Sequence, residues 1–131
     1  MKINVIGCGY LGTVHAVCLA TLGHEVVGVD TDVAKVGRLS RGESGFFEPG
    51  LPELLVQELG SGRLSFATEP TPAEVYFLTV GTPQVADGLA ADVSFVHAAI
   101  DSILPVASLD AVVVGLSLIH ISEPTRLGMI S

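Results

Sequence analysis

The sequence predicts an α/β domain built on one doubly wound parallel sheet of about five strands. Short β-branched segments alternate along the chain with segments in which apolar residues recur every three or four positions. The 131 residues are enough for one hydrophobic core. A content of 49% hydrophobic and 15% charged residues excludes a disordered tail, a collagen-like repeat and a coiled coil.

The first unit is predicted to be a strand, a glycine turn, a helix and a second strand. Lys2–Ile6 is apolar on both faces, which is typical of a central parallel strand. A helix over residues 10–22 is expected to bury an apolar stripe, namely Leu11, Val14, Val17, Cys18 and Leu22. Glu25–Val29 is the second strand, and it ends at Asp30.

Two further helices are predicted in the next part of the chain. Thr31 or Asp32 can cap a helix that runs to about Leu39, because both side chains can accept hydrogen bonds from backbone N–H groups. Pro52 stands at the first position of another helix, which we expect to stop at Gly60. Both helices would lie between the second and third strands.

Three strands, one helix and two long loops complete the prediction. The strands are short and apolar, at residues 64–67, 75–80 and 111–114. A helix from Asp92 or Ser94 to about Leu104 connects the last two strands. The last strand is expected to be a bare, uncharged edge of the sheet. Residues 41–51 and 81–92 are longer than ordinary connections, and we therefore expect functional loops there.

The charge balance argues against binding to nucleic acid. Six Lys and Arg residues stand against 14 Asp and Glu residues, which gives a net charge of −8, and no basic cluster is present. A bound phosphate would therefore be held mainly by backbone N–H groups.

Residues 3–22 are largely apolar, but glycines and polar residues interrupt them, so we expect no membrane span. The spacing of the two cysteines fits a reducing compartment and a protein without a structural metal. We therefore expect a cytoplasmic protein.

Residues 7–12 fit the pattern G-x-G-x-x-G between the first strand and the first helix. Gly7 would permit a tight turn, Gly9 a close approach of the backbone to a pyrophosphate, and Gly12 close packing of helix on strand. Asp30 follows the second strand, where this arrangement places an acid. Strand, turn, helix and acid together form the dinucleotide-binding fingerprint of Rossmann-like domains.

Asp30 is predicted to favour NAD over NADP, because a carboxylate accepts hydrogen bonds from the ribose hydroxyls and repels a 2′-phosphate. Lys35 lies one turn into the next helix and could either reach the same ribose or be solvated. Arg38 and Arg41 could bind a 2′-phosphate, which leaves NADP open as an alternative.

Several reactive side chains are given structural roles. Cys8 lies at a helix N-terminus, which stabilises a thiolate, but no base accompanies it, and we expect a small buried residue in the turn. Cys18 is expected in the core. Glu53 and Glu58 are interpreted as a solvated face rather than an acid/base pair. The histidines have no partner at ligand spacing and are expected to be packed or exposed, namely His15, His24, His97 and His120.

Several segments carry a resemblance to a known family. They are residues 1–32, FFEPGLPELL at 46–55, SGRLSF at 61–66, VGTP at 80–83 and DVSFV at 92–96. Through these segments, residues 1 to about 115 resemble the N-terminal NAD-binding domain of the UDP-glucose 6-dehydrogenase and GDP-mannose dehydrogenase family. The EPGL and VGTP motifs are more specific to this family than the glycine pattern is.

The resemblance implies NAD as the cofactor and assigns its contacts. The turn at residues 7–12 would hold the pyrophosphate, Asp30 and Lys35 the adenosine ribose, and residues 80–84 the nicotinamide side. The loop at residues 46–50 would lie over the cofactor cleft. The expected cofactor-binding residues are Gly7, Gly9, Tyr10, Leu11, Gly12, Asp30, Lys35, Val80, Gly81, Thr82 and Pro83.

The resemblance also implies a reaction for a longer parent protein. Enzymes of this family oxidise the C6 alcohol of a nucleotide sugar twice with two NAD, through an aldehyde, a thiohemiacetal and a thioester on a catalytic cysteine. Their catalytic residues lie in a later domain, so we expect no catalytic residue and no activity in this chain. The expected parent is a homo-oligomer that oxidises UDP-glucose. GDP-mannose or a UDP-N-acetyl-hexosamine as substrate, or a non-catalytic NAD-binding module, are the alternatives.

The likeness ends at one place. After Gly115 the family continues with Lys-Ser-Thr-Val-Pro, whereas this chain reads LSLIHISEPTRLGMIS. Residues 116–126 resemble the translation of a transposase sequencing-library adapter. We therefore expect a truncated domain at residues 1–115 and a non-native tail at residues 116–131 whose apolar side chains stay exposed.

Overall fold

A computed structural model describes residues 1–46, 48–80 and 94–116. These residues form a five-stranded parallel sheet with helices packed on both faces. The elements in chain order are β1 (Lys2–Ile6), α1 (Tyr10–Thr21), β2 (Glu25–Val29), α2 (Val33–Ser40), α3 (Leu51–Ser61), β3 (Leu64–Ala67), β4 (Val75–Leu78), α4 (Ser94–Ile103) and β5 (Val112–Gly115). The predicted fold class is confirmed.

The strands lie in the order β3-β2-β1-β4-β5. β1 is central, as its apolar residues on both faces predict. The chain moves outward from β1 through β2 and β3 in one direction and through β4 and β5 in the other. The sheet therefore has a switch point at the carboxyl ends of β1 and β4, which is where doubly wound sheets bind their ligands.

The sheet separates two hydrophobic cores. On one face, Ile3 of β1 belongs to a core that includes Leu55 of α3 and residues of α1. On the other face, Leu78 of β4 belongs to a core that includes Ala99 and Ile103 of α4. Successive side chains of a strand point to opposite faces, so a central strand must be apolar throughout.

β5 forms one edge of the described sheet, as expected. Val112 and Val113 are 54% and 47% exposed, one on each face of the strand. An exposed β-branched edge without charge is open to pairing with another chain.

Some element boundaries differ from the prediction by one or two residues. α3 continues through Gly60 and ends at Ser61, and Gly62 follows it with a φ of +84°, which suits the left-handed turn that closes a helix. β4 ends at Leu78 rather than at residue 80, and β5 begins at Val112 rather than at residue 111. Within the three described ranges, no helix is both long and apolar enough to cross a bilayer.

The predicted buried stripe of α1 is wrong in part. Val17 of the predicted stripe is buried and Val14 packs against the core, but the other buried residues of the helix are small, namely Gly12, Thr13, Ala16 and Ala20. A Cβ on Gly12 would collide with the carbonyl oxygen of Gly7, so the helix approaches the turn more closely than a larger residue allows. Cys18 and Leu22 lie on the outer side and are exposed. Apolar periodicity favoured the larger side chains, whereas close approach requires the small ones.

Glu58 is buried, so its interpretation as part of a solvated face is wrong. Its side chain is 1% exposed. Its carboxylate accepts hydrogen bonds from Arg63 Nε at 2.9 Å, Gln57 Nε2 at 3.1 Å and Ser61 Oγ at 3.2 Å. Arg63 Nε also donates to the carbonyl oxygen of Ala20 at 3.2 Å, which connects α3 to the end of α1. The hydrogen bond from Arg63 outweighs burial and holds the pKa of Glu58 below its ordinary value.

Candidate cofactor site

A cavity of about 380 Å³ opens at the switch point of the sheet. The carboxyl ends of β1, β2 and β4 supply part of its wall, with Ile6, Val29 and Thr79 among the lining residues. One face of α4 supplies the opposite wall. The cavity therefore lies between the glycine turn and α4, where a ligand can contact both.

Gly7 makes the turn between β1 and α1 possible. Its φ of +102° lies in the region that favours glycine, and its N–H donates to the carbonyl oxygen of Val29 at 2.7 Å. A Cβ at this position would lie 2.9 Å from the backbone of Thr79 and Val80. Any other residue here would push β1 and the end of β4 apart.

Gly9 leaves open space at the N-terminus of α1. A Cβ built on Gly9 has no atom within 4 Å, and Gly9 lines the cavity. No side chain caps this helix and no acid lies in its first turn, so its first N–H groups and its dipole can act on a ligand. These features fit the diphosphate of a dinucleotide, which a chain of net charge −8 must hold without a basic cluster.

The hydroxyl groups of Thr13 and Thr79 hold the glycine turn on its buried side. A Cβ on Gly12 would lie 2.6 Å from Thr79 Oγ1, which itself donates to the carbonyl oxygen of Gly7 at 2.6 Å. Thr13 Oγ1 donates to the carbonyl oxygen of Cys8 at 3.0 Å. These two hydroxyls fix carbonyl groups of the turn on its buried side.

Asp30 lies at the end of β2 with its carboxylate held by three hydrogen bonds. Oδ2 accepts from the backbone N–H of Cys8 at 2.9 Å and from Lys35 Nζ at 3.1 Å, and Oδ1 accepts from the N–H of Asp32 at 2.9 Å. Burial raises the pKa of Asp30, but these hydrogen bonds and the charge of Lys35 outweigh it, and the pKa lies below its ordinary value of 3.8. The group is therefore an ionised acceptor at neutral pH.

Lys35 is positioned by the start of α2. Asp32 caps this helix, as one of the two predicted candidates, and its side chain accepts from the N–H of Lys35 at 3.1 Å. Lys35 is not simply solvated, because its ammonium group lies at the cavity and pairs with Asp30.

Cys8 is a buried residue of the turn, as expected. Its side chain is fully buried, and its Sγ lies 3.6 Å from the carbonyl oxygen of Val29. Burial and the charge of Asp30 raise its pKa to about 12, against a smaller lowering effect of Lys35. The thiol is therefore protonated at neutral pH and is not a nucleophile.

Tyr10 connects the N-terminus of α1 to the loop at residues 41–50. Its hydroxyl donates to Glu48 Oε2 at 2.8 Å, and its ring packs edge-on against Phe46 with centroids 5.6 Å apart. The hydrogen bond to Glu48 raises the pKa of Tyr10. The EPGL motif thus begins beside the glycine turn.

The predicted site residues fall into three groups. Those that line the cavity are Gly7, Gly9, Asp30, Lys35 and Val80. Those that lie on α1 beside the cavity, without lining it, are Tyr10, Leu11 and Gly12. Those that lie outside the described residues are Gly81, Thr82 and Pro83, together with the rest of the predicted loop at residues 81–92.

Part of the cavity wall was not predicted from the sequence. It consists of Thr31, Thr68, Pro70, Thr79, Phe95, Ala98, Ala99 and Ser102. The α4 residues recur at helical spacing, so the periodicity showed that they share a face. It could not show that this face turns toward the glycine turn.

Arg38 and Arg41 are placed away from the cavity. Both lie at the C-terminal end of α2, whereas the cavity adjoins its N-terminal end, and neither lines it. Arg41 Nε pairs with Glu43 at 3.3 Å. In the part of the chain that the structure describes, no group of three or more His, Cys, Asp or Glu side chains could hold a metal ion.

A parallel sheet that carries a glycine turn and an ionised acid at the carboxyl ends of its strands defines a dinucleotide-binding domain of the dehydrogenase type. A sequence profile described as UDP-glucose/GDP-mannose dehydrogenase family, NAD binding domain, matches residues 1–127. The chain belongs to this family, and NAD is the cofactor of the domain. This confirms the resemblance and the predicted cofactor.

Known relatives include enzymes with different nucleotide sugars. UDP-glucose 6-dehydrogenase of Rhizobium meliloti (strain 1021) is 45% identical over 103 residues, which cover 76% of this chain and 24% of the relative. GDP-mannose 6-dehydrogenase of Azotobacter vinelandii is 46% identical over 92 residues, which cover 67% and 21%. Among solved structures, UDP-N-acetyl-mannosamine dehydrogenase Cap5O from Staphylococcus aureus superposes with a TM-score of 0.86 at 30% identity, covering 100% of this chain and 34% of that one. The chain thus spans about a quarter of the length of these curated relatives.

Proposed function

We propose that this domain is the NAD site of a longer nucleotide-sugar 6-dehydrogenase whose substrate is UDP-glucose. The observation that carries the proposal is the carboxylate of Asp30, ionised and hydrogen-bonded to the N–H of Cys8 beside an open cavity. An acceptor in this position suits the hydroxyls of an adenosine ribose. When bound, NAD supplies a hydride acceptor for an alcohol on the substrate.

The residues of the chain would share the work of binding. Gly7 and Gly9, with the N-terminus of α1, would receive the pyrophosphate, since the backbone is bare and the helix dipole points toward it. Asp30 and Lys35 would hold the adenosine ribose. Val80 and the residues after it would lie on the nicotinamide side. Tyr10 would anchor the EPGL loop near the cofactor through its contact with Glu48.

UDP-glucose is proposed ahead of GDP-mannose and UDP-N-acetyl-hexosamines. Relatives named as UDP-glucose 6-dehydrogenases reach 45% identity, but one named as a GDP-mannose enzyme reaches 46% over a shorter segment. The test is the full-length protein, assayed for NADH with each of these sugars at equal concentration. We expect UDP-glucose to give the highest kcat/KM and two NADH per sugar. A higher kcat/KM with another sugar would contradict the substrate, and no NADH with any would favour the non-catalytic module.

The chain by itself is proposed to be inactive. Cys8 is buried and protonated, and Cys18 is exposed on the outer side of α1, so neither lies at the cavity as a nucleophile. We expect no NADH from UDP-glucose when the 131-residue chain is present in large excess. Turnover that Cys8→Ser abolishes would contradict the structural role of Cys8.

We also propose that the native domain in this chain ends near residue 115 and that residues 116–131 are a non-native tail. The support is the sequence after Gly115, which reads LSLIHISEPTRLGMIS, although the family profile extends through residue 127. Deleting residues 116–131, of which 117–131 lie outside the described ranges, should leave the NAD affinity unchanged. A fall in melting temperature of about 4–8 °C, which is roughly 1 kcal/mol in a domain of this size, would contradict the proposal.

The setting of the parent protein is proposed from the family and the sequence. We propose a cytoplasmic homo-oligomer that binds neither nucleic acid nor membrane. The cysteines support a reducing compartment, since Cys8 and Cys18 are both free thiols. Sedimentation of the full-length protein would test the oligomeric state, and a monomer would contradict it.

A further inference from the structure

We propose that Lys35 is a latent binding site for a 2′-phosphate, which Asp30 blocks by pairing with it. Asp30 would then exclude NADP in two ways, by its own charge and by occupying the cation that a phosphate would use. The proposal rests on the placement of the adenosine ribose beside Asp30 in the proposed function.

Lys35 carries a positive charge at this cavity. Its Nζ lies 3.1 Å from Asp30 Oδ2, and its side chain is 31% exposed. Among the described residues that line the cavity, no other carries a positive charge. Its backbone is fixed by the bond from its N–H to the Asp32 side chain, so the ammonium group can move while its base stays in place.

The donors on Asp30 differ in whether they can leave. A carboxylate has about four acceptor positions, and the N–H groups of Cys8 and Asp32 and the ammonium group of Lys35 occupy three of them. The two backbone donors are held by the turn and by the start of α2. A ribose diol brings two hydroxyl donors, so Lys35 is the group that must yield an acceptor position. Its Nζ then lies beside the ribose hydroxyls, where NADP carries its phosphate.

The charges around this position favour a single cation–phosphate contact. With Asp30 present, the pair is neutral in sum and the ammonium group has a partner. With Asp30 made neutral, Lys35 can donate to phosphate oxygens in a charge-assisted bond. Asp32 remains nearby as an acid, but it is exposed, and water and salt screen its charge.

The test compares NAD and NADP binding by calorimetry in four forms of the full 131-residue chain, which are the unmutated chain, Asp30→Asn, Lys35→Met and the double variant. We expect Asp30→Asn to weaken NAD binding and to raise NADP affinity about tenfold or more. Adding Lys35→Met should remove that gain. Equal NADP affinity of Asp30→Asn and the double variant would overturn the proposal, as would no gain in Asp30→Asn.

A matched control uses the same helix and the same change of charge. Arg38 lies one turn beyond Lys35 and does not line the cavity. Arg38→Met in the Asp30→Asn background should therefore keep the gain in NADP affinity. Loss of the gain with Arg38→Met as well would show a general charge effect and overturn the assignment to Lys35.

Two further measurements separate the causes of failure. Melting curves without ligand show whether each variant folds, and Asp30→Ser replaces Asp30→Asn if the latter does not. The NADP affinity of the Asp30→Asn variant should fall with added NaCl more steeply than that of the double variant, because the double variant lacks the ion pair between Lys35 and the 2′-phosphate. If the unmutated chain binds neither NAD nor NADP, the proposed cofactor site itself is wrong, and this proposal is wrong with it.

Discussion

Two acids in this domain each pair with a cation five residues further along the chain, at opposite ends of the sheet. Asp30 follows β2 and pairs with Lys35 at 3.1 Å, whereas Glu58 lies in α3 and pairs with Arg63 at 2.9 Å, just before β3. β2 and β3 are parallel neighbours, so the carboxyl end of β2 and the amino end of β3 lie at opposite ends of the strands. In both acids the pKa lies below its ordinary value.

The two pairs differ in what surrounds the carboxylate. The side chain of Glu58 is 1% exposed, accepts hydrogen bonds from three side chains and does not line the cofactor cavity. Asp30 is 12% exposed, keeps an acceptor position free and faces the cavity. A buried, paired acid with a lowered pKa is therefore not by itself a functional site. Open space beside a carboxylate with unused acceptor capacity is what distinguishes Asp30.

The largest effect is expected from removing the carboxylate that faces the cavity. Asp30→Ala should weaken NAD binding by about 10-fold to 150-fold, which corresponds to about 1.5–3 kcal/mol for hydrogen bonds to a charged group. Titration calorimetry with NAD and NADP measures the loss. Equal affinity of the unmutated chain for NAD and NADP would show that Asp30 does not select the cofactor.

A smaller effect, on a different property, is expected from the acid in α3. Glu58→Gln should lower the melting temperature, because Arg63 loses its ionic partner in a site that holds the end of α1 against α3. NAD affinity should stay unchanged. Glu53→Gln is the matched control, since Glu53 is exposed on the same helix, and it should leave the melting temperature nearly unchanged. A larger loss with Glu53→Gln would contradict the buried role of Glu58.

The smallest effect is expected in the pH dependence of stability. A lowered pKa in the folded state gives stability that is present above the ordinary pKa, which is 4.5 for Glu58, and that is lost as the pH falls through the folded pKa. Melting temperatures between pH 7 and pH 3 should therefore decline at the acid end, and Glu58→Gln should decline less steeply. Parallel curves for the two proteins would contradict the lowered pKa.

The comparison also shows why the sequence placed one acid correctly and the other wrongly. Asp30 stands at a fixed place in a recognisable order of strand, glycine turn, helix and strand, so a local pattern was enough to predict its position beside the turn. Glu58 becomes buried through Arg63 and the end of α1, and Ala20 lies 43 residues away from Arg63 in the chain. No local pattern carries such a contact.

The same physical reason explains the other differences. The central place of β1 followed from apolar residues on both faces of a short strand, whereas the order of the outer strands was not predicted. The buried face of α1 did not follow from such a pattern, because it depends on how closely Gly12 approaches Gly7. The wall of the cavity formed by α4 depends on tertiary packing, and the periodicity of Phe95, Ala99 and Ser102 fixes only that they share one side of a helix.

The most direct test of the account is an amide NMR titration of the ¹⁵N-labelled 131-residue chain with NAD. The account predicts that saturable shifts concentrate at the Asp30 end of the sheet, with Cys8, Gly9 and Asp32 among the most affected amides. The region around Glu58 and Arg63 should stay unchanged. Shifts that concentrate at Arg63 instead, or no saturable shift at millimolar NAD, would contradict the assignment of the cofactor site.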